Sequence, residues 1–312
     1  MNAIFSIFMA ADFWNATFVA IAPMLLAVFG ALLCGRAGVI HLGSEGLFAA
    51  GAVTGFLLAH VYGTPQAGLA GALAAGAIIG LAHGILISPL GLPQRETGIA
   101  VTILAVGIAQ FVFPAWLPSG AGATRITTFA PIIFPPLPSL PQLGKTMDIV
   151  HTAISIFELP ALVYLVLALA CVIAYVLTRT PFGLALTAMG ENPEAVATQG
   201  RSVHRLRIEA DIAGSALMAL GGATMALTGS GAFSFGPLNG RGFAALALAA
   251  AARWRPGWAL LAAVLFGIVD VYQARLQPLA GGSATGAYLP LAPFILAFLV
   301  LAAANLKLRR AR

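Results

Sequence analysis

Apolar segments about as long as a bilayer is thick follow one another along this chain and constrain its fold more than any other feature. A helix needs about 20 mostly apolar residues to cross the hydrocarbon core. The segments predict helices over residues 14–33, 45–62, 67–87, 98–117, 157–177, 207–229, 243–252, 257–275 and 288–306. The seventh of these is too short to cross as a regular helix. The other fold that satisfies its backbone hydrogen bonds in lipid is a closed barrel. A barrel would show short segments of alternating hydrophobicity, and this sequence has long apolar runs instead.

The composition excludes a water-soluble globule. Only 8% of the 312 residues are charged and 60% are hydrophobic, whereas soluble domains carry about 25% charged residues. We therefore predict an all-α fold, a polytopic transmembrane helical bundle with about nine spans (eight to ten), two glycine-interrupted segments and an internal repeat. Residues 1–312 are expected to form a single transmembrane domain. Neither a disulfide nor a metal site is expected from Cys34 and Cys171, which lack CxxC spacing.

The basic residues predict the orientation. With the C-terminal tail inside, 12 of the 16 lysines and arginines lie in segments assigned to the cytoplasm, namely 34–44, 88–97, 178–207, 253–256 and 307–312. Cytoplasmic loops of membrane proteins are enriched in these residues. We therefore expect a cytoplasmic C-terminus and an external N-terminus. The same residues are scattered among loops without interleaved aromatics, so no nucleic-acid partner is expected.

Small residues recur at every fourth position of two predicted helices. They are Gly68, Ala72, Gly76, Gly80 and Gly84 in the third helix and Gly51 and Gly55 in the second. In lipid, helices associate where small side chains let the backbones approach closely. We expect these faces to pack within one subunit; a seam between two subunits is the alternative.

Two loops stand out between the predicted helices. Residues 118–155 form a long proline-rich loop on the outer side, and 178–207 form the longest inner loop. Within the inner loop, Asn192 suits a helix N-cap, Pro193 the first helical position and Gly200 the end. The pattern predicts a helix of about seven residues that could transmit force to a cytoplasmic partner. An ordinary connecting loop with one helical turn is the alternative.

Two glycine-interrupted segments lie between hydrophobic runs, one in each half of the chain. They read AGVIHLGSEGLFAAGA at 37–52 and GPLNGRGFAALALAAAARWRPGW at 236–258. Irregular backbone at membrane depth is tolerated only where it lines a cavity or is buried in protein. Paired interruptions of this kind indicate a central transport pathway, although the glycines could also mark tight turns.

Three motifs together resemble a known family. AGVIHLGSEG at 37–46, GENPEAVATQGRSVHRLR at 190–207, and the segment from Gly240 through AALALAAAARWRPG occur in this order over about 220 residues. They are similar to AGVxNxGxEG, GENPxAAxxxGI and GxGFxAIAVALLGRxxPxG of the ABC-importer inner-membrane permeases. The resemblance is to the ribose/branched-chain amino-acid permease superfamily, in its nucleoside/simple-sugar branch. His41 replaces the usual Asn, and 249–252 replace a bulkier run, which bears on the substrate.

The resemblance implies a permease subunit of an ATP-binding-cassette importer in the bacterial cytoplasmic (inner) membrane, moving a nucleoside or simple sugar by alternating access. The implied partners are cytoplasmic ATP-binding subunits, a second and related permease subunit, and an external solute-binding lipoprotein. ATP and magnesium would be bound by the ATPase, since this chain has no GxxxxGK[ST] loop and is not expected to be an enzyme. No cofactor is expected in this chain.

The sequence assigns residues to two sites, a coupling site implied by the resemblance and a pathway indicated by the two glycine-interrupted segments. Coupling to the ATPase is assigned to Gly190, Glu191, Asn192, Pro193, Glu194, Ala195 and Gly200. The translocation pathway is assigned to His41, Gly43, Ser44, Glu45, Gly46, Gly240, Gly242 and Phe243.

For most of the ionisable residues near the spans, we expect a structural role. We expect Glu209 and Asp211 to pair with Arg205 and Arg207 at the membrane interface. Asp270 is expected to pair with Arg275, and His60 and His83 to be single packed or interfacial histidines. Glu45 could line the pathway or cap its own helix.

A carrier that works without an ATPase is an alternative function from a different class. An ion-coupled secondary carrier acting without an ATPase would use Glu45, Asp211 or Asp270 as proton sites. An intramembrane hydrolase built on Ser230 or Ser234 is less favoured, because no span offers a clear His or Asp partner.

Overall fold

The computed structural model describes residues 7–8, 10–117, 124–134, 153–228, 231–238, 240–280 and 288–310. Within these ranges the only extended pairing is an isolated bridge between Pro131 and Pro160. Much of the expected outer loop, 118–123 and 135–152, lies outside the described residues, as does Ser230.

The described chain is built from helices, which we number α1 to α11. Their bounds are α1 Ala11–Arg36, α2 Ser44–Tyr62, α3 Pro65–Ile87, α4 Gln94–Trp116, α5 Ala161–Arg179, α6 Pro181–Glu191, α7 Pro193–Thr198, α8 Val203–Thr228, α9 Arg241–Ala251, α10 Pro256–Leu276 and α11 Ala292–Arg310.

Seven helices of the described chain are long and apolar enough to cross a membrane: α1 to α5, α8 and α10. Two shorter apolar helices, Arg241–Ala251 and Leu289–Ala302, match the seventh and ninth predicted segments. The polytopic helical bundle is thereby confirmed, as is the shortness of the seventh segment. The internal repeat stays a prediction.

Helix α8 is the centre of the bundle and packs against α1, α2 and α3. These contacts are close enough to bring backbone against backbone. A Cβ added at Gly76 of α3 would lie 2.7 Å from the carbonyl oxygen of Ser215 in α8. A Cβ added at Gly222 of α8 would overlap the Phe48 carbonyl of α2. Only glycine permits these helices to approach so closely.

The four-residue repeat of α3 is confirmed as a packing face within the subunit. All five small residues of the repeat are buried in the structure. Gly76 and Gly80 contact α8, while Gly68 contacts the Gly55 carbonyl of α2. A seam between subunits is therefore not needed to explain this repeat.

The inner loop predicted over 178–207 is wrong in its extent. Helix α5 reaches Arg179, α8 already begins at Val203, and the 11-residue helix α6 lies between them. Thr180 caps α6 by accepting a hydrogen bond from the Gly183 amide, and Pro181 occupies the first helical position. A search for runs of about 20 apolar residues misses such a helix, because it is short and buries only one face.

The backbone contact at Gly222 gives a test of the packing. We expect Gly222→Ala to lower the stability of the protein by about 1–3 kcal/mol, because its methyl group has no space against α2. Gly257→Ala is the control, since a Cβ there meets nothing within 4 Å, and alanine favours a helix over glycine. Thermal unfolding in mild detergent should show a lower midpoint for the first variant and an unchanged or higher one for the second. Equal midpoints would contradict this packing.

Candidate functional site

The two glycine-interrupted segments meet inside the bundle. A Cβ added at Gly242, in the first turn of α9, would lie 2.5 Å from both the Ser44 carbonyl oxygen and the Glu45 Cα. The start of α9 therefore rests directly on the start of α2. The tertiary fold brings together two motifs that are about 200 residues apart in the sequence.

The Glu45 carboxylate joins these two helix starts. Its Oε1 accepts a hydrogen bond from the Gly240 amide at 2.7 Å, and its Oε2 accepts from the amides of Gly242 at 2.8 Å and Phe243 at 3.2 Å. The first amides of a helix lack partners within the helix and form the positive end of its dipole. Glu45 thus caps α9, which is a different helix from its own.

Of the two alternatives for Glu45, the capping of α2 by its own residues Ser44 and Glu45 is wrong. No side chain makes a cap hydrogen bond at the start of α2. The Ser44 hydroxyl is buried there without a hydrogen-bond partner. The amides at the start of α9 draw the Glu45 carboxylate away from its own helix.

A cavity of about 480 Å³ lies beside this junction. Its volume falls within the roughly 300–1,000 Å³ typical of small-molecule sites. The lining consists of Glu45, Ala49, Thr102, Ile103, Val106, Gly107, Gln110, Phe235, Leu238, Gly240 and Phe243. The wall is mainly apolar, with polar groups at three side chains, and this combination can hold a flat or partly apolar solute.

The structure brings together only part of the predicted pathway set. Glu45, Gly240 and Phe243 line the cavity. Gly242 lies behind them at the helix contact, and Gly46 packs against the Thr102 backbone of α4.

The other three members of the set, His41, Gly43 and Ser44, are not among the residues that line the cavity. His41 and Ser44 are fully buried. The Gly43 amide donates to Nδ1 of His41 at 3.0 Å. These residues shape the turn that leads into α2.

Sequence reasoning missed eight of the eleven lining residues, among them Thr102, Gln110 and Phe235. Gln110 carried a usable signal, since an amide in an apolar span is costly in lipid and tends to face the interior. No sequence signal marked Phe235. Its position depends on ring contacts with Phe113 and Phe233, at centroid distances of 5.5 and 5.2 Å.

A buried polar cluster joins the turn before α2 to helices α3 and α8. Nδ1 of His83 lies 2.6 Å from Oδ2 of Asp211, and Nε2 of His41 lies 3.6 Å from Oδ1 of the same carboxylate. All three side chains are fully buried. The expected pairing of Asp211 with Arg205 or Arg207 is therefore wrong, and so is the view of His83 as a single histidine. Because α8 begins at Val203, Asp211 lies two turns inside the helix.

The two histidine rings of this cluster stack, with centroids 3.9 Å apart and planes inclined by 24°. Their donor atoms and that of Asp211 lie within 4.8 Å of one another. A metal ion must lie close to the plane of each imidazole that binds it, and two nearly parallel rings do not converge on one such point. Burial lowers the pKa of His41 to about 4, so its ring is neutral at pH 7. The cluster ties the turn before α2 to α3 and α8.

Two further acidic groups, Glu209 and Asp270, have defined partners. Glu209 pairs with Arg205 at 2.9 Å, as predicted. Asp270 pairs with Arg241 at 2.8 Å, so the expected pair with Arg275 is wrong. Residues five apart on a helix lie on different faces, and Arg275 instead donates to the Asp12 carbonyl at 3.4 Å.

The short helix in the inner connection is confirmed as α7, over Pro193–Thr198. Oδ1 of Asn192 accepts a hydrogen bond from the Ala195 amide at 3.1 Å, as an N-cap does. Gly200 follows with a φ of +76°. Val196 is the only buried residue of α7, so almost all of the helix surface is free to contact another molecule.

Helix α6 fixes the base of α7 against α1. A Cβ added at Gly190 would overlap the Arg36 carbonyl at the end of α1. The Arg36 guanidinium donates to the Leu177 carbonyl of α5 at 2.7 Å and to the Trp254 carbonyl at 2.8 Å. The ends of α1 and α5 and the turn between α9 and α10 are thereby held together beside α6.

Known proteins resemble this chain over most of its length. The putative glucose ABC transporter permease protein TsgC13 of Haloferax volcanii is 34% identical over 86% of this chain and 79% of its own. The guanosine ABC transporter permease protein NupQ of Bacillus subtilis is 31% identical over 92% and 89%. The nucleoside ABC transporter permease protein NupC of Lactococcus lactis is 28% identical over 90% and 88%. No solved structure matches the chain.

The family comparison agrees with the relatives and with the three motifs. Residues 13–304 match the family described as the branched-chain amino acid transport system / permease component. This match spans every helix from α1 to most of α11. The chain is a multi-pass membrane protein that belongs to this permease family.

Proposed function

We propose that this chain imports a nucleoside or a simple sugar by alternating access, as the permease subunit of an ABC importer. The observation that carries the proposal is the combination of the family match over residues 13–304 with the exposed, capped helix α7. The names of the relatives, for guanosine, nucleosides and glucose, support the solute class.

The pathway runs, in this proposal, past the junction of α2 and α9. The cavity of about 480 Å³ can accept a small solute. Its polar groups are few, and both oxygens of Glu45 already accept backbone hydrogen bonds. Such a wall binds a solute weakly, which suits a pathway whose selectivity depends on an external binding protein.

In this proposal, α6 and α7 transmit the movement of the ATP-binding subunits to the helical bundle. Their residues from Gly190 to Gly200 present an exposed surface, with only Val196 buried. Because Gly190 packs on the end of α1, a push on α7 reaches the long helix α1 without an intervening flexible segment. A partner that moves α7 can therefore reorient the bundle.

The partners follow from this assignment. Two cytoplasmic ATP-binding subunits would hold ATP and magnesium, and this chain would hydrolyse nothing itself. A related second permease and an external solute-binding lipoprotein would complete the importer in a bacterial inner membrane. The C-terminus and α7 would then face the cytoplasm.

Reconstitution tests the function directly. Liposomes that hold this chain with its ATP-binding subunits, second permease and binding lipoprotein should take up nucleoside or glucose only when ATP is present on the ATPase side. Uptake by the isolated chain under a proton or sodium gradient, without ATP, would instead establish the secondary carrier.

The coupling surface gives a second prediction. We expect Glu191→Lys with Glu194→Lys to lower solute uptake and permease-stimulated ATP hydrolysis at least tenfold, because two exposed carboxylates are lost from the contact surface. Glu96→Lys, at an exposed position in the first turn of α4, is the control and should retain both activities. If the double variant retains uptake and ATPase stimulation, α7 is not the coupling element.

The cavity gives a third prediction. A Cβ added at Gly107 meets nothing within 4 Å, although Gly107 lines the cavity. Gly107→Phe should therefore fill the cavity without disturbing the bundle and lower uptake at least tenfold at an unchanged unfolding midpoint. Gly257→Phe adds the same ring at another open position outside the cavity and should leave uptake unchanged. Normal uptake by a stably folded Gly107→Phe protein would place the pathway elsewhere.

A further inference from the structure

The turn between α9 and α10 has a costly backbone. Arg253 and Trp254 have φ values of 53° and 55°, and in the described chain they are the only non-glycine residues with positive φ. Side chains disfavour this left-handed region, so it persists only where the surrounding structure imposes it. Strain of this kind concentrates at sites that bind other molecules.

Trp254 is the anchor that imposes this conformation. Its indole occupies the space where a side chain at position 35 would lie, so Gly35 of α1 is required there. Its carbonyl accepts the hydrogen bond from Nε of Arg36 at 2.8 Å. The amides of the turn are also bonded, with Arg253 donating to the Ala250 carbonyl at 2.9 Å.

With Trp254 held against α1, its two neighbours are exposed to solvent. These neighbours, Arg253 and Arg255, are both exposed. The turn is rigidly placed with respect to α6, since Nη1 of Arg36 lies 3.5 Å from the Thr187 hydroxyl of that helix. The basic turn and the start of α7 therefore belong to one fixed surface.

A groove of about 290 Å³ separates the turn from the end of α6. Its lining includes Arg253 and Arg255 from the turn, Glu191 from the end of α6 and Arg36 from the end of α1. Three arginines and one glutamate give the groove a net positive charge, which favours an acidic side chain of a protein partner. Arginine also recognises a carboxylate through two parallel hydrogen bonds, which gives a defined geometry.

We propose that this groove is a second docking contact for the ATP-binding subunit, and that it takes an acidic side chain of that subunit between Arg253 and Arg255. The inference rests on the coupling role proposed for α7. The strained turn keeps the two arginines at a fixed distance from α7, so the partner engages the permease at two points. A two-point contact resists rotation of the partner and directs its movement along α1.

Charge reversal tests the contact in the assembled system. The permease is placed in nanodiscs of phosphatidylcholine, and its Kd for the ATP-binding subunit is measured. Arg253→Glu and Arg255→Glu should each raise the Kd at least tenfold. Arg95→Glu reverses an exposed charge at the start of α4 and should leave the Kd unchanged.

Arg253→Gly separates docking from folding. Glycine accepts a positive φ without strain, so this variant should unfold at the same or a higher temperature while the Kd rises. An unchanged Kd in all three turn variants would overturn the second contact. A Kd effect that appears only in nanodiscs containing phosphatidylglycerol would assign the groove to lipid and would also overturn it.

Failure of the second docking contact and failure of the coupling role of α7 would give different results. If the Glu191 and Glu194 double variant loses coupling while the turn variants bind normally, only the second contact is wrong. If the double variant keeps both uptake and ATPase stimulation, the coupling role of α7 is wrong, whatever the turn variants do.

Discussion

Direct backbone contact between α8 and the helices around it is the interaction on which the rest of the structure depends. In a bilayer, apolar side chains gain little by leaving lipid for protein, so helices need close packing to associate. Glycines supply it from either partner, Gly76 of α3 toward Ser215 of α8 and Gly222 of α8 toward Phe48 of α2. This packing sets the positions of α2 and α3, and with them the cluster of His41, His83 and Asp211.

Within this frame, a short helix begins inside the bundle and must be capped there. The amides at the start of α9 lack partners within their own helix, and Glu45 satisfies three of them. The carboxylates of Asp211 and Asp270 also have partners, His83 and Arg241 respectively. The three groups that a secondary carrier would have needed as proton sites are thus committed to holding helices together, which weakens that alternative.

Much of the fold could be predicted because it depends on local patterns. The nine apolar helices, the packing face of α3 and the capped helix α7 all follow from spacing or from cap residues such as Asn192. The amphipathic helix α6 could not be found by a rule for apolar runs. The ion-pair partners of Asp211 and Asp270 were predicted wrongly. Both residues pair with groups on other helices, and nothing in their neighbouring residues indicates those partners.

The sequence by itself determined that this is a helical membrane protein and to which family it belongs. It also identified the two glycine-interrupted segments that meet beside the cavity. Composition, periodicity and motifs are properties of short stretches, and they need no knowledge of neighbours in space. Only the tertiary structure decided that Glu45 caps α9, that Thr102, Gln110 and Phe235 share a cavity, and that Trp254 rests on Gly35. The physical reason is that a buried polar or bulky group is stabilised by whichever partner the packing brings within reach. In this chain such partners lie up to 218 residues away.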